Sequence, residues 1–177
     1  ASVVQRAEAF AREAHKHLTR PNKAQQPYAV HLEEVAELVR NSGGTDDEIA
    51  AAWLHDVVED TDTTIDDIAQ LFGHQIAVIV DGLTDLPELS GLPTFERKKL
   101  QAERLRHKSA SVKRVKVADQ TSNLRSVAVD PPVHWLQQKS REYVRGARII
   151  ADECQGISAY LDREFDAAYN RAILVYP

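Results

Sequence analysis

The sequence predicts an all-α protein of about eight or more helices packed around one core. Apolar residues recur with helical spacing along most of the chain, and no segment shows the sustained alternation of a half-buried strand. The chain has 177 residues, 43% of them hydrophobic and 28% charged, which is enough apolar material for one core. Because no repeat or linker interrupts the pattern, we expect a single domain over residues 1–177.

Helix boundaries follow from capping patterns and chain breakers. Thr45 with Glu48 forms a capping-box pattern, and Thr64 with Asp67 forms a weaker one, so a helix is expected to begin at each pair. Two consecutive prolines end a later, long helix. In chain order, the predicted helices and apolar segments cover residues 3–18, 32–39, 45–57, 64–73, 76–80, a basic segment after the loop 86–94, and residues 112–129, 133–152 and 158–175.

The charge pattern argues against a protein that coats nucleic acid, because 27 acidic residues outnumber 22 basic ones and the net charge is -5. The bases are nevertheless concentrated. Nine of them lie between Arg97 and Lys116, interrupted only by Glu103. Such a run can attract a small polyanion, and it can equally be a solvated helix face.

No membrane segment is expected, because the longest apolar run, Ile49 to Leu54, is far shorter than the ~20 residues that span a bilayer. Cys154 is the single cysteine, which excludes an intramolecular disulfide and a cysteine-based zinc cluster. A reducing, cytoplasmic location fits this cysteine usage. We expect Cys154 to be a buried small residue, Trp135 to lie in the core or at its boundary, and His15 to be a surface or capping residue.

One helical stripe combines a histidine with carboxylates beside the apolar core. His55, Asp56 and Glu59 share this stripe, and such groups are costly there unless they are paired or bind a cation. A His-Asp pair taken alone is more often structural. His31 begins an amphipathic helix, and Asp119 lies on a polar helix face. Together, His31, His55, Asp56 and Asp119 offer two nitrogens and two oxygens, which suits manganese or iron better than a closed zinc site.

The string HDVVEDT at residues 55–61 resembles the HDxxED signature of the RelA/SpoT hydrolase domains, which belong to the HD superfamily. Further stretches match the family in order and approximate spacing. They are PYAVH at 27–31, FG at 72–73, ERK at 96–98, and KVADQ at 116–120 continuing to NL at 123–124. The likeness covers about residues 7 to 150, and the chain length resembles that of a stand-alone small alarmone hydrolase with an HD-type helical bundle.

The resemblance implies removal of the 3′-pyrophosphate from (p)ppGpp-type nucleotides, which yields GDP or GTP plus pyrophosphate. It implies one bound metal ion, usually Mn²⁺, held by the two histidines and two aspartates named above. Glu59 and Asp60 match the acidic pair that orients or deprotonates the attacking water. Substrate contacts are expected from basic, amide and aromatic side chains: Arg20, Lys23, Lys116, Asn123, Lys139 and Tyr143.

Two departures from the family bear on the substrate. The segment RPNK at 20–23 displaces the second of two adjacent bases, and Gln120 replaces a frequent base after Asp119. We therefore expect weaker discrimination among nucleobases than a tight guanine pocket gives. Two alternatives stay open: an HD phosphohydrolase acting on adenine alarmones or the 2′-phosphate of NADPH, and a nucleotide-binding sensor without turnover. The sequence is compatible with a monomer and with a homo-oligomer.

Overall fold

The computed structural model describes residues 1–177 as ten α-helices and one short 3₁₀ helix, which confirms the all-α prediction. The only extended pairing is an isolated bridge between Thr19 and Pro27. No helix has the length and apolar character that crossing a bilayer requires. The helices are α1 Val3–Ala14, α2 Ala29–Asn41, α3 Asp46–Leu54, α4 Val57–Asp60, α5 Ile65–Phe72, α6 His74–Leu83, the 3₁₀ helix Pro87–Leu89, α7 Thr94–Leu105, α8 Ala110–Val129, α9 Gln137–Asp152 and α10 Ala159–Val175.

Helix α8 lies at the centre of the fold and packs against α2, α3, α6, α9 and α10. The buried apolar side chains form one cluster of 38 residues around it. A run of polar residues on α8, from Asp119 to Ser122, is buried as well. Buried polar groups require hydrogen-bond partners. The hydrogen-bond partners of these four residues lie mainly where α8 faces α2, α3 and α7. This region contains the predicted site.

Both predicted capping boxes are present. The side chain of Thr45 accepts the backbone N–H of Glu48, and Thr64 accepts that of Asp67, so α3 and α5 begin where the sequence indicates. Helix α1 ends at Ala14, earlier than predicted, and residues 15–17 form a turn. At this end the ring Nδ1 of His15 donates to the carbonyl of Ala11 at 3.0 Å and caps the helix.

Helix α9 also differs from its prediction, since it begins at Gln137 and not at Val133. The backbone N–H of Val133 donates to the carbonyl of Pro21 at 2.9 Å. This bond joins the segment before α9 to the loop after α1. Those two connections therefore lie side by side.

The prediction that His55 and Asp56 lie within one continuous helix is wrong. Helix α3 ends at Leu54, both residues form a turn, and α4 begins at Val57. The ring Nδ1 of His55 donates to the carbonyl of Ala52 at 2.6 Å, which draws the imidazole back against α3. The break places the His-Asp pair at the junction of α3 and α4.

Candidate metal centre and adjacent cleft

Three parts of the fold bring the four predicted ligands together. His31 comes from the first turn of α2, His55 and Asp56 from the junction of α3 and α4, and Asp119 from α8. Their ligand atoms all lie within 4.8 Å of one another. The Oδ1 atom of Asp119 lies 3.1 Å from Nε2 of both His31 and His55, and Asp56 Oδ2 lies 3.1 Å from His55 Nε2.

The hydrogen bonds of His55 show why this cluster fits a cation. A backbone carbonyl can only accept, so the bond from Nδ1 to Ala52 places the ring proton on Nδ1. In the neutral imidazole, Nε2 then directs a lone pair at carboxylate oxygens of Asp56 and Asp119. Two acceptors at this distance need a proton or a metal ion between them. Two nitrogen and two oxygen donors suit a divalent transition metal and leave positions open for water or substrate.

The pKa values of the cluster point the same way. Burial alone would raise the pKa of the Asp119 carboxyl, but hydrogen bonds from His31 and His55 hold it well below its usual value. Burial alone would lower the pKa of His55, yet the charge of Asp56 and the bond to Asp119 raise it well above the usual range. The site thus keeps its carboxylates ionised and attracts positive charge. The buried cluster therefore fits a divalent metal ion.

Further residues orient the predicted ligands. The Nδ1 atom of His31 lies 2.9 Å from Ser122 Oγ, and the phenol of Tyr28 donates to Asp56 Oδ2. The ring of Tyr28 stacks on His15 with centroids 5.3 Å apart. Such supporting groups fix the direction of a ligand. The family segment PYAVH contains Tyr28, but its spacing alone carries no sign of the bond to Asp56.

Glu59 and Asp60 lie at the rim of the cluster and face different neighbours. Glu59 Oε1 accepts the backbone N–H of Asp85 at 2.9 Å. Although Glu59 is exposed as a residue, partial desolvation of its carboxyl group raises the pKa to about 7 despite that bond. Asp60 Oδ2 lies 3.1 Å from Nε2 of His15. The surface position expected for His15 is wrong, because its ring is buried and holds Asp60. The expected capping role is confirmed, because His15 caps α1 and its Nδ1 bonds to the Ala11 carbonyl.

Replacing His15 with phenylalanine is expected to lower the free energy of unfolding most strongly at low pH. Burial opposes protonation of His15, but hydrogen bonds to Asp60 and Ala11 outweigh it and raise the pKa. The stabilisation is therefore fully present below the unfolded pKa of 6.5 and is lost as pH rises through the folded pKa. Urea unfolding over a pH series with a chelator present measures the difference. His17→Phe, at an exposed position, is the control, and a pH-independent loss would contradict the ion pair.

A cleft of about 300 Å³ adjoins the cluster, and we call it the aromatic cleft. Tyr28, Asp60 and Asn123 line its inner end, and Trp135 and Tyr143 line its wall with ring centroids 5.2 Å apart. Trp135 lies at the core boundary, as predicted, because its half-buried ring packs against the core cluster. The same ring also forms part of the cleft surface, which the sequence did not indicate.

The predicted substrate residues are placed unevenly around this cleft. Arg20 Nη2 donates to Asn123 Oδ1 at 3.1 Å, which joins both residues to the inner end. Lys116 Nζ lies 3.8 Å from Asp119 Oδ2, and Lys139 Nζ lies 5.1 Å from the centroid of the Trp135 ring. Lys23 is exposed and absent from the cleft wall, so its contact with substrate stays a prediction.

The basic run between residues 97 and 116 has mixed roles. Lys98 and Lys116 turn toward the cluster and are largely shielded from solvent. Arg114 instead bonds to Ser42, and Arg106 pairs with Glu153 on the surface. The sequence left open a run that attracts a polyanion and a solvated helix face. Each interpretation describes part of the run.

Comparisons with known proteins agree with this geometry. The family model for the HD domain matches residues 7–145. The guanosine-3′,5′-bis(diphosphate) 3′-pyrophosphohydrolase MESH1 of Xenopus tropicalis is 36% identical over 168 residues, which are 94% of this chain and 92% of that protein. The Homo sapiens MESH1 is 36% identical over 155 residues, or 86% of this chain and 85% of its own.

A solved structure gives the same result for the fold. It is that of a metazoan orthologue of SpoT, described as hydrolysing ppGpp, and it is 30% identical in sequence. The two folds superpose with a TM-score of 0.88 over 96% of this chain and 95% of that one. The chain therefore belongs to the HD-domain family, in the RelA/SpoT-type group that contains the metazoan SpoT homologues.

Proposed function

We propose that this protein is a metal-dependent hydrolase that removes the 3′-pyrophosphate from (p)ppGpp-type nucleotides. The observation that carries the proposal is the four-donor cluster, whose ligand atoms lie within 4.8 Å of one another beside the aromatic cleft. The relatives named for this reaction cover most of the chain, which supports the same activity here. The products would be GDP or GTP and pyrophosphate. A cytoplasmic location stays a prediction.

We assign one Mn²⁺ per chain to His31, His55, Asp56 and Asp119. The two carboxylate donors suit Mn²⁺, and the two imidazole donors are typical of transition-metal sites. When bound, a divalent cation polarises a phosphoryl oxygen and makes water a stronger nucleophile. The chain supplies the remaining chemistry.

Glu59 and Asp60 are assigned to the attacking water. A general base works best when its pKa lies near the working pH, and the raised pKa of Glu59, about 7, meets that condition. Asp60 lines the inner end of the cleft, where His15 restrains its carboxylate. The two acids therefore approach the cluster from two directions and can together orient a water molecule and accept its proton.

The aromatic cleft is assigned to the nucleotide. The faces of Trp135 and Tyr143 offer stacking surfaces that accept any base. Arg20 and Lys116 carry positive charge toward the inner end, where the phosphates would lie and where charge develops during the reaction.

Two features of the cleft bear on the choice of nucleobase. Asp130 belongs to the cleft wall, but both of its carboxylate oxygens already accept backbone N–H groups, from Lys23 and Ala24, at 3.0 Å. These bonds use one acceptor site on each oxygen and fix the direction of the carboxylate. The stacking faces of Trp135 and Tyr143 accept any base, so hydrolysis of adenine alarmones is the second candidate function.

Hydrolysis of a nucleotide panel tests the proposal. With Mn²⁺ present, ppGpp and its adenine analogue are both expected to release pyrophosphate, with kcat/KM values that differ by far less than the ~10⁴–10⁵-fold of a tight hydrogen-bonding pocket. NADPH in the same panel reports orthophosphate release. A guanine preference of ~10⁴-fold or more would contradict the broad cleft. No release from any nucleotide would indicate a binding protein without turnover.

A further inference from the structure

Lys98 of α7 occupies an unfavourable position that the proposed reaction does not explain. Its residue surface is only 4% exposed, and its ammonium finds one hydrogen-bond acceptor, Gln120 Oε1, at 2.8 Å. Burial lowers the pKa of Lys98 to about 7. A buried charge without a carboxylate partner costs free energy that an apolar side chain of similar length would avoid. A functional reason for the lysine is therefore needed.

Gln120 links this lysine to the metal cluster. Its Nε2 donates to Asp119 Oδ2 at 2.9 Å, while its Oε1 accepts from Lys98. Rotating the amide by half a turn would break both bonds, so Lys98 fixes the orientation of Gln120. Because Gln120 holds Oδ2, the other oxygen of Asp119 stays directed at His31 and His55.

The same ammonium also touches the aromatic cleft. Lys98 Nζ lies 3.9 Å from the centroid of the Tyr143 ring, within the range of a cation–π contact. One turn along α9, Gly146 leaves room for the lysine stem, since a Cβ atom there would lie 2.6 Å from both Cβ and Cγ of Lys98. Lys98 thus joins α8 and α9 at the point where the cluster meets the cleft.

We propose that Lys98 is a positioning residue that holds Asp119 through Gln120 and the cleft wall through Tyr143. The inference rests on the proposed metal-dependent reaction and adds the group that couples its metal centre to its nucleotide cleft. Lys98 bonds to none of the predicted metal ligands and does not line the aromatic cleft, so its contacts reach both only through Gln120 and Tyr143. Gln120 stands where the family frequently has a base after Asp119, and its Oε1 accepts from Lys98 of α7.

Calorimetric titration of metal-free protein with Mn²⁺ tests, without any substrate, whether Lys98 holds Asp119 through Gln120. Lys98→Met is expected to weaken Mn²⁺ binding by about 10–100-fold, the usual effect of losing a group that orients a ligand. Lys99→Met, on the exposed neighbour, is the matched control and is expected to bind like the parent. Unchanged affinity in a folded Lys98→Met protein would overturn the proposal.

A double-mutant cycle shows whether Gln120 carries the effect. Gln120→Leu is expected to match the loss in Lys98→Met, and the double variant is expected to be no worse than either single variant. Additive losses of Mn²⁺ affinity would overturn the role of Gln120 as the connection between Lys98 and Asp119. If Lys98→Met does not fold, the affinity of Gln120→Leu alone decides the question.

The contact between Lys98 and Tyr143 is tested by the KM for the nucleotide. At saturating Mn²⁺, the KM of Lys98→Met is expected to remain about two- to fivefold above that of the parent, because the contact with Tyr143 is lost. A KM equal to that of the parent would overturn the proposed role of Lys98 in holding the cleft wall.

The same titration separates this inference from the proposed function. A parent that binds Mn²⁺ but hydrolyses no nucleotide would end the proposed function and leave the positioning role intact. If the parent hydrolyses ppGpp while Lys98→Met and Gln120→Leu keep full Mn²⁺ affinity, the proposed function stands and the positioning role of Lys98 is overturned.

Discussion

Replacing His55 or Asp119 with alanine is expected to abolish stoichiometric Mn²⁺ binding and nucleotide hydrolysis together. Asp119 Oδ1 lies 3.1 Å from the Nε2 atoms of both histidines, so its removal takes away the shared centre of the cluster. Loss of His55 takes away the nitrogen that faces both carboxylates. The loss of affinity should exceed the about 10–100-fold that removal of a supporting residue costs.

The measurements are metal content by atomic spectroscopy, Mn²⁺ affinity by calorimetry, and initial rates of pyrophosphate release on the same preparations. His74→Ala, at an exposed position on α6, is the matched control and should retain metal and activity. Metal retained at full stoichiometry in both variants would place the site elsewhere. Hydrolysis that persists in a metal-free variant would separate the chemistry from the cluster.

The helices and their caps could be read from the sequence because the forces that set them are local. The two capping boxes, at Thr45 and Thr64, depend on residues three apart, and both are present. The break at His55 could not be read, because the apolar stripe continues across it. That break depends on a side-chain bond to the Ala52 carbonyl, which competes with helical continuation.

The site shows the same division between local and distant signals. The motifs placed the four metal-binding candidates, and the fold brings them within 4.8 Å of one another. The residues that support them were missed because their partners lie far along the chain. His15 meets Asp60 across 45 positions, and Lys98 meets Gln120 across 22. No spacing rule links such pairs, so only packing can reveal them.

Glu59→Gln and Asp60→Asn are expected to lose most turnover while retaining the metal and the fold. The new glutamine keeps a carbonyl oxygen that can accept the N–H of Asp85. The new asparagine can donate an amide N–H to Nε2 of neutral His15, whose ring proton lies on Nδ1 and faces the Ala11 carbonyl. What the amides lose is the capacity to take up a proton. Removal of a positioned acid–base group typically lowers the rate by ~10²–10⁴-fold.

The matched controls are Asp62→Asn and Glu88→Gln, which make the same chemical changes at exposed positions and should hydrolyse at parental rates. Metal content, nucleotide affinity by calorimetry and initial rates are measured for all four variants. Near-parental rates in Glu59→Gln and Asp60→Asn would show that neither carboxylate takes the proton. Loss of metal from either would make that residue a ligand. Because both cluster and cleft keep their contacts in these variants, nucleotide binding should survive the loss of turnover, and the same proteins should trap bound substrate.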